Sequence, residues 1–154
     1  YGFTVDNTKR PSAQRQAFTK ACVAAVEELS REDASLLVLG NTNSAVFPAE
    51  LLPYTARHDF GKGVMKINFL VNYSWQWDLG LKNGIIGPCL KTKEVPRIDL
   101  IIRWGGRSRL SGFLPVQSVY SDLYVVEDYW PDFKREHVEA ALAWYDAQDV
   151  TLGG

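Results

Sequence analysis

This sequence is short of the residues that mark several common classes of protein. Of its 154 residues only Cys22 and Cys89 are cysteines, and neither sits in a CxxC pair. Disulfide frameworks and thiolate zinc sites need closer sets than that, so two reduced thiols in a cytoplasmic protein are expected. The two histidines, His58 and His137, have no partner at metal-ligand spacing. No apolar run approaches the roughly 20 residues that span a bilayer, and the first residues carry no charged-then-apolar leader pattern. Neither sign of charge dominates. The formal net charge is -1, which gives no case for a nucleic acid partner or an anionic surface as a whole-molecule ligand. The nucleotide-binding fingerprints GxGxxG and GxxxxGK[ST] are both missing, as are internal repeats and low-complexity stretches.

What is present describes a globular chain with a sizeable core. Hydrophobic residues make up 46% and charged residues 23%, and the length suits a single domain. Pro11 suits the first turn of a helix, and Phe18, Cys22, Ala25 and Leu29 recur at helical spacing, which predicts a helix over roughly 12–30. Leu36-Leu37-Val38-Leu39, closed by Gly40, predicts a strand buried on both faces. A short helix is expected near 49–57 and a strand over 64–71, with Ile67, Phe69 and Val71 on one face. Further strands are expected over 98–102 and 124–126. A helix is expected over about 112–122, and Val138, Ala141, Leu142 and Tyr145 mark a last amphipathic helix. Alternating strands and helices imply an α/β domain with a mostly parallel central sheet flanked by helices. Such sheets bind ligands at the carboxyl ends of their strands. Polar residues stand there: Asn7 and Arg10, Asn41 and Asn43, Asn72, and Arg103 with Arg109.

The most informative segment is Arg103-Trp104-Gly105-Gly106-Arg107-Ser108-Arg109-Leu110-Ser111. A buried strand delivers Arg103, and two glycines let the backbone turn sharply and come close to a ligand. Arginine forks, and backbone N–H groups at the start of a helix, suit a multiply charged phosphate. Asp122, near the far end of the expected helix, is a plausible oxygen ligand for Mg²⁺. Read alone, this segment is equally compatible with a basic surface loop and a solvated carboxylate.

Several stretches together resemble the cis-prenyltransferase family. Phe3-Thr4-Val5-Asp6-Asn7-Thr8-Lys9-Arg10-Pro11 resembles its F-S-x-E-N-W-x-R-P. Asn72-Tyr73 with Trp77-Asp78 resembles N-Y-G-G-R-x-[DE]. Residues 98–114 resemble D-L-x-I-R-T-G-G-x-x-R-[LI]-S-x-F-L, and residues 117–124 resemble Q-x-x-Y-[AS]-E-L-Y. Trp130-Pro131-Asp132-Phe133 matches W-P-D-F, and Gly153-Gly154 resembles the closing R-[FY]-G-G.

The resemblance implies a condensation of isopentenyl diphosphate with an allylic prenyl diphosphate, assisted by Mg²⁺, giving a cis-polyprenyl diphosphate. By match, Arg103, Arg109 and Ser111 would hold the diphosphate of isopentenyl diphosphate, with Thr4 also lining the site. Asn7 and Arg10 would be catalytic, Asn7 orienting the reacting end of the substrate and Arg10 lying near the diphosphates. Asp122 stands at the family's metal-binding Glu. Gly153 and Gly154 would serve the substrate of a partner subunit in a homodimer. Contact with a membrane surface would serve product release. An apolar product needs a dry tunnel, for which Ala17, Ala21, Ala24 and Ala25 would leave room opposite a wall of Ile67, Phe69 and Val71.

The family's first motif, D-G-N-G-R-W, is absent from these residues. The expectation is therefore an N-terminally incomplete domain lacking the first strand, too short by a central strand to turn over by itself. The stretch 79–96 is also shorter than the family's. Thr8 replaces a Trp, and Ser74-Trp75-Gln76 replaces Gly-Gly-Arg. A second reading is a non-catalytic homologue that serves as a subunit or binds isoprenoid diphosphates. Retention of Arg103, Gly105, Gly106, Arg109 and Ser111 favours catalysis.

Overall fold

A computed structural model describes residues 2–4 and 12–149. The architecture is α/β with mostly parallel strand pairing, and the chain forms two compact units, Tyr1–Lys93 and Glu94–Gly154. The expected strands are divided between them, four in one sheet and two in another.

In the first unit β1 (Gly2–Thr4) precedes the helix α1 (Ser12–Leu29). Next come β2 (Ala34–Leu39), a 3-10 helix (Ala49–Thr55), β3 (His58–Asp59), β4 (Met65–Tyr73) and the single turn α2 (Trp75–Asp78). The sheet order is β1-β4-β2-β3, with β4 parallel to β1 and β2 and with β3 antiparallel at the edge. The apolar run read from the sequence lies in the interior strand β2, buried from Ala34 to Val38. Its register runs from Ala34 opposite Met65 to Leu39 opposite Leu70.

Helical periodicity turns Cys22 and Val26 of α1 onto this sheet, where they are buried with Leu36, Val38, Phe47, Leu51, Phe69 and Val71. Each large side chain withdrawn from water here contributes roughly 1.5–3 kcal/mol. Burial also pushes the Cys22 thiol up to about 11, because its thiolate would lose its hydration.

Of the four alanines expected to face the apolar wall across a tunnel, only Ala25 does, and there it is packed among larger side chains. Ile67, Phe69 and Val71 pack onto the stripe of α1 that carries Phe18, Cys22, Ala25 and Val26, while Ala17, Ala21 and Ala24 lie on its exposed side. The helical period separates the two sets by residue number, and larger side chains fill the inner one.

After α2 the chain is fastened by a fully buried carboxylate. Asp78 accepts hydrogen bonds from Tyr73 Oη (2.9 Å), Thr92 N (2.9 Å) and Thr92 Oγ1 (2.9 Å). Its backbone carbonyl accepts from Lys91 N at 2.9 Å. Between these anchors Lys82 and Ile85 bridge across Asn83-Gly84. Both turn residues have positive φ, 51° and 80°, as a tight hairpin turn requires.

The second unit contains β5 (Leu100–Trp104) parallel to β6 (Asp122–Val126), a 3-10 helix (Trp130–Asp132) and the helix α3 (Arg135–Asp146). The helix expected over about 112–122 is absent, and turns occupy that stretch. Ser111, Gly112 and Leu114 have φ of 52°, 74° and 39°, which a right-handed helix cannot take, and Pro115 offers no N–H. Asp122 is consequently the first residue of a strand. The strands of this unit are half-buried, not buried on both faces. Their cover comes from α3, through the fully buried Ala141 and the 5.4 Å ring contact of Tyr124 with Trp144.

Candidate functional site

Because β1, β2 and β4 run parallel, their carboxyl ends gather at one edge of the first unit's sheet. Thr4 pairs with Tyr73 there. Gly40 follows β2 so closely beside β4 that a Cβ would lie 1.6 Å from the Val71 carbonyl oxygen; only glycine permits this approach. The next residue, Asn41, is tied to Asn72. Asn41 N donates to Asn72 O (3.3 Å), and Asn72 Nδ2 returns a bond to Asn41 O (3.0 Å). The Asn41 side chain in turn accepts from Asn43 N at 3.2 Å. Asn72 is buried with φ of 53°, a conformation that asparagine tolerates better than most residues. Of the asparagines expected at this edge, Asn41, Asn43 and Asn72 thus form one hydrogen-bonded ridge. Of the other residues expected to act, Asn7, Arg10, Gly153 and Gly154 lie outside the described residues.

In the second unit the carboxyl end of β5 presents Arg103 and then turns at Gly105-Gly106, with φ of 93° and 63°. Both glycine N–H groups are occupied. Gly105 N donates to Val126 O and Asp128 O at 2.9 Å each, and Gly106 N to Val126 O at 3.1 Å. The glycines therefore fasten the turn onto the end of β6 instead of offering N–H groups to a ligand. A Cβ on Gly106 would also come within 2.6 Å of Glu127 Oε2.

Arg103, Arg109 and Ser111 come together, as their spacing suggests. Arg103 Nη1 donates to the Arg109 carbonyl and reaches Ser111 Oγ at 3.5 Å. Its Nε is buried without a hydrogen-bond partner. The guanidinium is held below its ordinary pKa by burial, then by the charges of Arg109 and Arg107. Among the described residues no carboxylate pairs with any of these three arginines. The arrangement is a concentration of positive charge with an unsatisfied donor, which a multiply charged anion would relieve. With no helix behind Ser111, the side chains and not a helix terminus would do the holding.

Asp122 is not part of this cluster. It pairs with Leu100 at the amino end of the ladder, whereas Arg103 pairs with Val125. Three strand steps separate the two levels, roughly 10 Å. The Asp122 side chain is exposed. No group of three His, Cys, Asp or Glu side chains among the described residues is placed to hold a metal ion. A groove of about 430 Å³ between α1 and the loop before the first 3-10 helix, lined by Gln16, Thr19, Lys20, Val46, Phe47 and Glu50, involves none of the residues expected to act.

Two features escape a linear reading. Glu127 covers the Gly106 turn, and His137, without a partner in sequence, meets Trp104 from β5 and Asp128 from the loop after β6. Only the fold joins residues so far apart along the chain.

Known proteins share this chain's sequence pattern and its fold. The prenyltransferase family model for undecaprenyl diphosphate synthases matches residues 1–153. A ditrans,polycis-undecaprenyl-diphosphate synthase ((2E,6E)-farnesyl-diphosphate specific) of Buchnera aphidicola subsp. Schizaphis graminum is 28% identical over 180 residues, covering 100% of this chain and 72% of that protein. An isoprenyl transferase of Heliobacterium mobile is 30% identical, covering 100% of the chain and 68% of its own length. Among solved structures, lavandulyl diphosphate synthase from Lavandula x intermedia, in complex with dimethylallyl diphosphate, superposes with a TM-score of 0.72 at 20% identity. That match covers 99% of this chain and 77% of that one.

Proposed function

This chain belongs to the cis-prenyltransferase family, and we propose that its Arg103–Ser111 turn holds the diphosphate of isopentenyl diphosphate while an allylic prenyl diphosphate is joined to it. The protein is a transferase of prenyl groups, giving a cis-polyprenyl diphosphate. The observation that carries the proposal is the arginine cluster, without a carboxylate partner among the described residues, and the buried Arg103 Nε that has no hydrogen-bond partner among them.

The chemistry suits such a site. As the allylic C–O bond breaks, inorganic diphosphate leaves and a carbon–carbon bond forms to isopentenyl diphosphate. A proton is then lost to complete the new double bond. The acceptor must be held in register while that charge moves. Fixed guanidinium groups position its diphosphate without needing to reorganise. Arg103 would bind through Nε and its free Nη donors, Arg109 from the turn, and Ser111 through its hydroxyl.

Mg²⁺ would neutralise charge on the substrate phosphates. Asp122 is the carboxylate that resemblance offers for it, but Asp122 and Arg103 stand at opposite ends of the β5–β6 ladder. The described residues therefore do not by themselves make up a metal site. Homodimer formation belongs to the same proposal. Its support is the exposed apolar set Val116, Val119 and Tyr120 in the turn region, 50%, 64% and 58% exposed.

The decisive experiment supplies radiolabelled isopentenyl diphosphate to the full-length protein with C10, C15 and C20 allylic starters. The expected result is label in an apolar diphosphate with at least one starter. No product from any starter, with or without Mg²⁺, overturns the proposal.

A further inference from the structure

The arginine turn is fastened by a second device that the reaction chemistry alone would not require. Trp104, the residue between Arg103 and Gly105, donates its indole N–H to His137 Nδ1 at 3.1 Å. The backbone N–H of Lys134 reaches the same nitrogen at 3.3 Å. An indole N–H can only donate, so Nδ1 is the acceptor. The proton of the neutral imidazole then sits on Nε2, which faces Asp128 Oδ2 at 3.1 Å. Lys134 Nζ lies 3.6 Å from the same carboxylate oxygen. Asp128 closes the circuit, because its backbone carbonyl accepts from Gly105 N at 2.9 Å. The path Trp104–His137–Asp128–Gly105 is thus a ring that begins and ends on neighbouring residues of the arginine turn. Trp130 and Phe133 brace the indole at 4.9 and 5.7 Å between ring centres. The His137 side chain is 15% exposed, which partly shields its bond to Trp104 from competing water, while the Asp128 carboxylate on its other side is 49% exposed.

The geometry points to His137, with Asp128, as a positioning residue for diphosphate binding. It fixes the Trp104 indole, and with it the direction in which the adjacent Arg103 leaves β5. The inference rests on the proposal that this turn binds a diphosphate. His137 itself touches no substrate in this scheme.

The test uses the full-length enzyme and two readouts: calorimetric binding of inorganic pyrophosphate, and steady-state kinetics. His137→Phe keeps a ring but removes both hydrogen bonds, and it should raise the pyrophosphate Kd and the KM for isopentenyl diphosphate about tenfold, with kcat changed less than about threefold. His137→Gln carries an amide oxygen for the indole and an amide N–H for Asp128, and it should recover most of the loss. Asp128→Asn leaves the backbone bond to Gly105 in place and should fall between the two. It also serves if His137→Phe does not fold. Parent-like Kd and KM in His137→Phe, or in Asp128→Asn where that variant stands in for it, overturn the inference. So does a His137→Gln variant as weak as His137→Phe, because packing would then be the whole contribution. Arg103→Ala separates the two levels. If it binds pyrophosphate as the parent does, the diphosphate assignment itself fails. If it is weakened while His137→Phe is not, only the positioning role is lost.

Discussion

The two units use their backbones in opposite ways. In the first, β2 is buried along almost its whole length and polar groups are satisfied internally, as the paired Asn41 and Asn72 show. In the second, the strands are half-buried, and the residues most concentrated in charge lie on a turn with successive positive φ values and, among the described residues, no acidic partner. A region that satisfies its own polar groups is a scaffold. A region that leaves a buried donor empty and crowds like charges is prepared for something to bind. Stability should therefore break in the first unit and substrate affinity in the second.

The largest effect should come from Gly40→Ala. The new Cβ would meet the Val71 carbonyl at 1.6 Å, and backbone must shift to admit it. A loss of about 4 kcal/mol or more, or no soluble protein, is expected in thermal unfolding; a melting temperature like the parent's would break the comparison at its strongest point. Next, Arg103→Ala in the full-length enzyme should lower kcat/KM for isopentenyl diphosphate about a hundredfold while leaving the unfolding transition nearly unmoved. Equal damage to stability and affinity would show that this arginine is scaffold too.

Cys22 sharpens the contrast through pH. Its thiol is raised from 9.0 to about 11 in the folded protein. Below pH 9 both states keep the proton. Above it the unfolded chain loses its proton first, so the parent loses stability as pH rises from 9 through 11. Cys22→Ala removes that loss, which amounts to about 2–3 kcal/mol across the window. Urea midpoints of parent and variant that differ by a constant amount at every pH would reject the assignment. Smallest of all, Glu139→Ala deletes the exposed i,i+4 pair with Arg135 and should cost no more than about 0.5 kcal/mol in the same urea measurement.

Much of this was legible in the residues themselves. The run at Leu36–Leu39 announces an interior strand because parallel sheets bury both faces. The spacing of Phe18, Cys22, Ala25 and Leu29 marks the inner stripe of α1. The grouping of Arg103, Arg109 and Ser111 is legible because the residues that form it are close in sequence. What the pattern hides is backbone handedness. Nothing in the composition of residues 111–115 announces positive φ at Ser111 and Leu114, so a helix is expected where turns stand, and Asp122 opens a strand instead of lying near the end of that helix. The alanines of α1 mislead for another reason: small residues leave space only if nothing larger turns inward beside them, and Phe69 and Val71 meet Cys22 and Val26 first. The His137 circuit has no local signal, since its members are drawn from three elements.

Asp78 has a consequence for how this chain can vary. One buried carboxylate grips Tyr73 just before α2 and Thr92 far beyond it, and its own carbonyl holds Lys91. The two mouths of the intervening segment are thereby stapled side by side, whatever is threaded between them. Lengthening such a closed excursion adds only a slowly growing entropic term, roughly 0.6 kcal/mol for each doubling. Residues 79–81 are themselves bonded back to α2, so the place where a change of length should disturb the sheet least is the segment beyond them, between Lys82 and Leu90.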